Sequence, residues 1–368
     1  MTEPFTETWR HVLDNVLPFL PEVLADGENR YRMCSVAETL PAPLSEHFAF
    51  ECRFGEKGCS VDLILELNPE YRSSFVKKPL AVPFPPGAGE EWEMARDLAR
   101  CWLDSSSFAS RRVGTLFFEF DTARPSPRRN LFAPVLFIGA PDEGLVRGGK
   151  TLLSDDFSSL MAMLELLRGV PVSPGHRKKL RLLLEMLPDG RKLVQLGSTR
   201  ARGRDVTKLL LAIAPEEDPV GYVAKAGFPL AVRELRKTYD EYQKLVRWIF
   251  VMLDIDESEV TKIGWECYTG DNEWHPFLEF LRERGLALVE KTEALLQWLG
   301  RSIDGEDGYA APAAWRKTAE EMSRIAGRRI VPVLERRLHH IKIVHDVSGA
   351  VTAKAYPTAR LRFLGVRR

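Results

Sequence analysis

No two of the five cysteines stand in a CxxC spacing, and their number is odd. Cys34, Cys52, Cys59, Cys101 and Cys267 therefore supply neither a disulfide framework nor a zinc ribbon. They read as reduced thiols, which implies an intracellular, cytoplasmic protein. No run of about 18 apolar residues occurs, so no membrane-spanning helix is expected. The opening stretch MTEPFTETWRHVLDNVLPFL has early acids and a broken apolar pattern and does not read as a signal peptide. An excess of either charge is missing too, because 52 Lys+Arg meet 52 Asp+Glu. That balance gives no pull toward nucleic acid or an anionic membrane, and the basic C-terminus (Arg360, Arg362, Arg367, Arg368) reads as a solvated tail. GxSxG, HExxH and GxGxxG are absent, and the Ser, His and Asp residues show no spacing that selects a triad.

What is present is an ordinary globular balance, 45% apolar and 28% charged over 368 residues, enough chain for a large core without staples. Residues from Glu7 to Leu24 read as an amphipathic helix interrupted at Pro18 and Pro21. Then a unit repeats. Phe48–Phe54 and Cys59–Leu67 are strand-like runs joined by a short Gly-flanked link, a hairpin signal. Pro79–Gly89 is a Pro/Gly-rich loop, and Glu90–Leu103 has helical spacing. Gly114–Asp121 and Ala133–Ile138 form the second strand pair. Helices follow to Leu167, with Ser154 as the expected N-cap, and from Pro174 to Leu187. Lys192–Arg200 with Val206–Ala214 is the third pair, and Leu230–Val246 is a helix. Trp248–Ile255 with Val260–Thr269 is the fourth pair. Helices at Pro276–Arg284, Leu288–Leu299 and Ala313–Ala326 precede the last pair, His339–His345 with Ala350–Tyr356.

Five hairpins make ten strands with helices between the pairs. Short links make neighbours antiparallel, and helices on one face leave a twisted sheet that closes to remove its edges. The expected fold is α+β, a ten-stranded antiparallel barrel surrounded by helices. It is read as one domain over residues 1–368, with an N-terminal helical segment at 1–40 and repeats from about 40 to 360.

That repeat resembles the ABBA-type aromatic prenyltransferases, the PT-barrel family, over about residues 40–360 and through architecture rather than a sequence signature. The resemblance implies a wide lumen that holds an isoprenyl diphosphate on inward Lys, Arg and Tyr side chains beside an aromatic acceptor. The family lacks the aspartate-rich metal motif of other prenyl-transferring enzymes. Here Asp155-Asp156-Phe-Ser-Ser159 has no third acid and does not supply it. No metal ligand set is therefore expected, and Mg²⁺ would enter only with the diphosphate.

Strand alternation places the candidates. In the last hairpin Ile341 and Ile343 share a face with His339 and His345, while His340, Lys342 and Val344 share the other. In the returning strand Lys354 and Tyr356 oppose Val351, Ala353 and Ala355. Lys342, Lys354 and Tyr356 then face the lumen, where ammonium and phenol groups suit a diphosphate leaving group. Arg200, Arg202 and Lys208 are further phosphate contacts, with Arg202 at the turn. Glu119 shares a face with Phe117 and Asp121, and Glu266 with Tyr268. Either glutamate could take the proton lost from an attacked ring, Asp121 could hold the acceptor, and Tyr268 and Tyr356 could shield an allylic cation. The implied partners are an isoprenyl diphosphate and an indole, phenol or peptide side chain, with no nucleic acid and no membrane. Acidic lumen candidates outnumber basic ones, which keeps open a barrel that binds a peptide or natural-product intermediate without catalysis.

Two motifs point elsewhere. Gly144-Leu-Val-Arg-Gly-Gly-Lys150-Thr151 matches GxxxxGK[ST], the phosphate loop of an NTPase. Leu152 and Leu153 intervene before the helix, however, and paired strands do not make the parallel sheet that fold needs. His339 and His345 lie six residues apart, roughly 20 Å along a strand, too far to share one ion.

Overall fold

A computed structural model describes residues 8–41, 44–67, 69, 71–77, 89–122, 132–140, 144–270, 273–306 and 308–366. The expected Pro79–Gly89 loop, the link between the second pair of strands and Arg367–Arg368 fall largely or wholly outside them.

Ten strands form the barrel: β1 (His47–Arg53), β2 (Val61–Glu66), β3 (Thr115–Phe120), β4 (Val135–Gly139), β5 (Lys192–Ser198), β6 (Val206–Ala212), β7 (Trp248–Asp256), β8 (Glu259–Tyr268), β9 (Ile330–Asp346) and β10 (Val351–Gly365). Each pairs antiparallel with its neighbours in order, and β10 pairs with β1 to close the ring. The expected closed ten-stranded antiparallel barrel is therefore the fold found.

Alternation explains why the sheet closes with helices outside. Phe48, Phe50 and Cys52 of β1, Val61, Leu63 and Leu65 of β2, and Leu209 and Leu211 of β6 are buried in one core that runs from Trp9 to Leu361. The helices present matching stripes. Gly89–Leu103 buries Trp92, Ala95, Leu98, Ala99 and Trp102, the three-to-four spacing of one helix face. Rings interlock there, with Trp92 5.1 Å from Phe118 and Phe48 at 88° to Trp9. Helix Ser154–Arg168 ends on Gly169 at φ 66°, whose N–H bonds Glu165 O and Leu166 O. Glycine takes that left-handed position without the Cβ penalty.

Several local expectations change. The N-terminal helix is two short pieces, Arg10–Asp14 and Leu17–Phe19, because Pro18 and Pro21 deny a longer run its backbone donors. A longer helix at Gly27–Thr39, capped by Asp26, carries the packing instead. Ser154 is the first helical residue rather than the cap, which falls on Leu153. β9 and β10 extend well past the expected hairpin into a ribbon, and Gly300–Ile303 adds a short strand on its edge. A bulge between Leu338 and His340 breaks the alternation, so His339 sits with its ring 5.4 Å from that of Tyr268 rather than beside His345. Arg360 and Arg362 lie on β10, not in a tail.

The phosphate-loop reading is overturned. All barrel pairings are antiparallel, and Gly149–Thr151 is a single 3-10 turn. A Cβ on Gly148 would meet Leu187 at 2.5 Å and one on Gly149 would meet Asp189 at 2.5 Å. These glycines serve close packing on the Leu184–Asp189 segment. The Lys150 side chain is 92% exposed. Lys150→Ala is expected to change stability by no more than about 0.5 kcal/mol in urea unfolding and to leave any diphosphate binding intact.

Candidate functional site in the barrel lumen

The inward residues sort into two layers. At the hairpin end a cavity of about 630 Å³ is lined by Glu51, Arg53, Asp62, Arg202, Lys208, Asp254, Lys342 and Lys354, among others. Toward the other end the wall turns aromatic and apolar. Phe117 pairs with Phe137, and Leu210, Met252 and Val194 form a small cluster of their own with Phe250. Phe250 and Tyr268 are 5.2 Å apart, and His340 lies between Tyr268 (5.1 Å) and Tyr356 (4.0 Å, nearly parallel).

Antiparallel register brings the charges together. Lys342 opposes Glu266 across β8–β9 and Lys354 across β9–β10. Lys342 Nζ lies 2.8 Å from Glu266 Oε1 and 5.2 Å from the centre of the Tyr356 ring. Tyr268 OH donates to Glu266 Oε2 at 3.0 Å, and His340 Nε2 is 3.8 Å from Oε1. Burial pushes the Glu266 carboxyl up, but the Lys342 ammonium, with hydrogen bonds from Lys342 and Tyr268, outweighs it and holds the group at about 2. Burial holds the His340 imidazole down at about 3, so it is neutral.

Glu51 is the second anchor. It accepts from both Lys354 Nζ and Tyr356 OH. Burial raises its pKa, yet the Lys354 and Lys342 ammonium groups drive it well below the usual carboxylate range. Lys208 lies 3.7 Å from Asp254. Its pKa is lowered by burial first, with Asp254 opposing and Lys342 and Lys354 adding to the drop, and all three lysines line the same cavity.

Arg202 reaches in from the third hairpin, bonding Asp121 at 2.8 Å and also Glu119. Burial disfavours its charge, but Glu119 and Asp121 hold its pKa well above normal. Glu51, Asp62 and Glu119 bring carboxylate oxygens within 4.8 Å of one another, the one such group among the described residues close enough to share an ion. Asp62, beside Arg53 at 3.7 Å, is pushed up to about 7 by burial and by Glu51.

The structure thus gathers Glu119, Asp121, Glu266, Tyr268, Lys342, Lys354 and Tyr356 in one lumen. Arg200 is the exception. It opens the 3-10 turn Arg200–Arg202, is exposed 3.7 Å from Asp205, and lines a crevice of about 200 Å³ outside the barrel. The strand ends at Ser198, and beyond it the turn sends Arg200 outward and Arg202 inward. Glu51 and Asp62 went unnoticed in the sequence. Their signal is an acid within a largely apolar strand, Glu51 in FAFECR and Asp62 in VDLILE, at the parity that faces away from the Phe and Leu residues.

The architecture is that of a PT barrel. No family model matches the sequence, and no curated protein matches it. Among solved structures the chain is similar to AnaPT from Neosartorya fischeri, at 11% identity and a TM-score of 0.47, over 98% of this chain and 93% of that one. At that identity the likeness is one of fold alone.

Proposed function

We propose that the lumen binds an isoprenyl diphosphate and transfers its prenyl group to an aromatic acceptor. The observation that carries this reading is the clustering of Lys208, Lys342 and Lys354 around one cavity, directly above the aromatic layer of Tyr268, His340 and Tyr356. The lysines would neutralise the leaving diphosphate, where charge develops as the allylic C–O bond breaks. The Tyr356 and Tyr268 rings would lie against the allylic cation and exclude water. Glu266 or Glu119 would then accept the proton released by the substituted ring, and Asp121 would hold the acceptor. The Glu51, Asp62 and Glu119 oxygens suit a hard divalent cation. Mg²⁺ held there would supply counter-charge to the diphosphate.

Lys208, Lys342 and Lys354 each already have a carboxylate partner. That pairing favours a second reading, a barrel that binds a peptide or natural-product intermediate without a diphosphate. Thermal unfolding separates the two. Geranyl or dimethylallyl diphosphate at 100-fold its dissociation constant is expected to add about 2.7 kcal/mol to the native state, with ATP–Mg²⁺ adding nothing. No shift with either prenyl diphosphate would leave the second reading.

A further inference from the structure

Nine Lys and Arg stand against three Glu in the segments Ala313–Arg337 and Pro357–Val366, in a chain whose formal charge is zero. The fold joins these segments into one projection beyond the barrel rim. Helix Ala313–Ala326 packs along the outer part of β9, with Trp315 stacked on Phe363 (5.1 Å, 16°) and Ile330 N–H donating to Ser323 Oγ at 2.8 Å. Ile330 pairs with Gly365, and Val366 N–H donates to Arg329 O at 2.9 Å. The helix end, the Arg328-Arg329 turn and the end of β10 are therefore neighbours.

This surface has an uncovered apolar centre. Within the helix only Ala319 is buried, while Met322 is 38% and Ile325 84% exposed, and Leu364 and Val366 are 39% and 36% exposed. Residues three apart adjoin on a helix face, so Met322 and Ile325 form one patch. Lys317 and Arg324, seven apart, line up on the flank next to it. Arg328, Arg329 and Arg362 are exposed around its end, Arg362 also bonding Glu335 at 3.0 Å.

Phosphate alone would satisfy the cations but not the hydrocarbon. Nucleic acid offers phosphate without an apolar phase to receive Ile325, whereas an anionic leaflet offers both. We propose that this projection seats the protein on an anionic lipid surface, with Met322 and Ile325 entering the headgroup boundary and Arg324, Arg328, Arg329 and Arg362 meeting lipid phosphate and carboxylate groups. The contact is reversible and peripheral, since no helix among the described residues is long and apolar enough to cross a membrane. It stands apart from the lumen and does not depend on the reading given to that site.

Vesicle co-sedimentation of the full chain tests it. Vesicles of phosphatidylcholine with about one third phosphatidylserine should pellet the protein, pure phosphatidylcholine should not, and salt near 1 M should release it as the screening length falls to about 3 Å. Ile325→Glu should weaken binding while keeping the wild-type melting temperature, because that side chain is 84% exposed, and adding Met322→Glu should remove it. Arg324→Glu with Arg328→Glu should weaken partition by at least about fivefold for each cation lost, a second readout should the first variant fold poorly. Equal partition into both vesicle types, no partition at all, or undiminished binding by these variants would overturn the proposal. So would a lipid-independent dimer lost on the Ile325 substitution, which would assign the patch to a second copy of the chain.

Discussion

Lys342→Met is expected to cost about 3–5 kcal/mol of stability, and pairing it with Glu266→Gln to recover most of that loss. Lys342 and Glu266 are both buried, with side chains 12% and 4% exposed, 2.8 Å apart. Removing the ammonium leaves a carboxylate in the lumen with only Tyr268 donating to it at close range, and an uncompensated buried charge is worth far more than the pair's own net contribution. Burial opposes the Lys342 charge, yet Glu266 and Glu51 raise its pKa. Urea unfolding of the wild type, both single variants and the double variant closes the cycle. A single-variant cost below about 1 kcal/mol would show that lumen water already screens the pair. The lysine would then be free to leave Glu266 for an incoming diphosphate at little expense.

Asp62→Asn is expected to be more stable than the wild type above pH 7, with the difference closing as pH falls toward 4. The Asp62 carboxyl is held at about 7, through burial first and then Glu51, with Asp121 and Glu119 adding to the rise and Arg202 opposing it. An unfolded Asp titrates near 3.9. Between these values the native state holds a proton that the unfolded chain has released, so native stability falls as pH rises through the window, by about 1.4 kcal/mol for each pH unit at most. Glu266 behaves oppositely. Its folded value of about 2 lies below the unfolded 4.3, so its contribution is present above pH 4.3 and is lost as pH falls toward 2. Urea midpoints for wild type and Asp62→Asn between pH 4 and 8 isolate the first effect. A constant difference across that range would show Asp62 ionised throughout. The same substitution removes one of the three carboxylates that would hold a cation, so Mg²⁺-dependent stabilisation should fall with it.

The reading of β9 and β10 shows where sequence patterning stops. Alternation placed Lys342, Lys354 and Tyr356 on one face of the last hairpin because each residue's side is set by its position along its own strand. It did not extend to the outer ribbon, where Pro332 and Pro357 stand within β9 and β10. In the fold, Pro357 opposes Leu338 at the bulge and falls between the two stretches over which β10 pairs with β1, where no ladder donor is asked of it. It also misplaced His339, because a bulge is a property of two strands together and neither sequence announces it. Arg200 and Arg202 differ for a related reason. A 3-10 turn separates them by two residues, and only the backbone path of that turn decides which one points inward.

By itself the sequence determined the strand pairs, their antiparallel sense, and the face of the candidates that lie within regular strand, Arg200 in its turn and His339 at its bulge excepted, since short hairpin links and a period of two are local facts. Only the tertiary structure decided which charges meet. Closing the barrel sets β1 against β10 and so delivers Glu51 to Lys354 and Tyr356 from more than 300 residues away. Asp62 meets Glu51 more locally, directly opposite it in the first hairpin, while β3 adds Glu119 beside them and the third hairpin brings Arg202 to Glu119. The electrostatics of the lumen follow from ring closure and burial together, and no stretch of chain contains both.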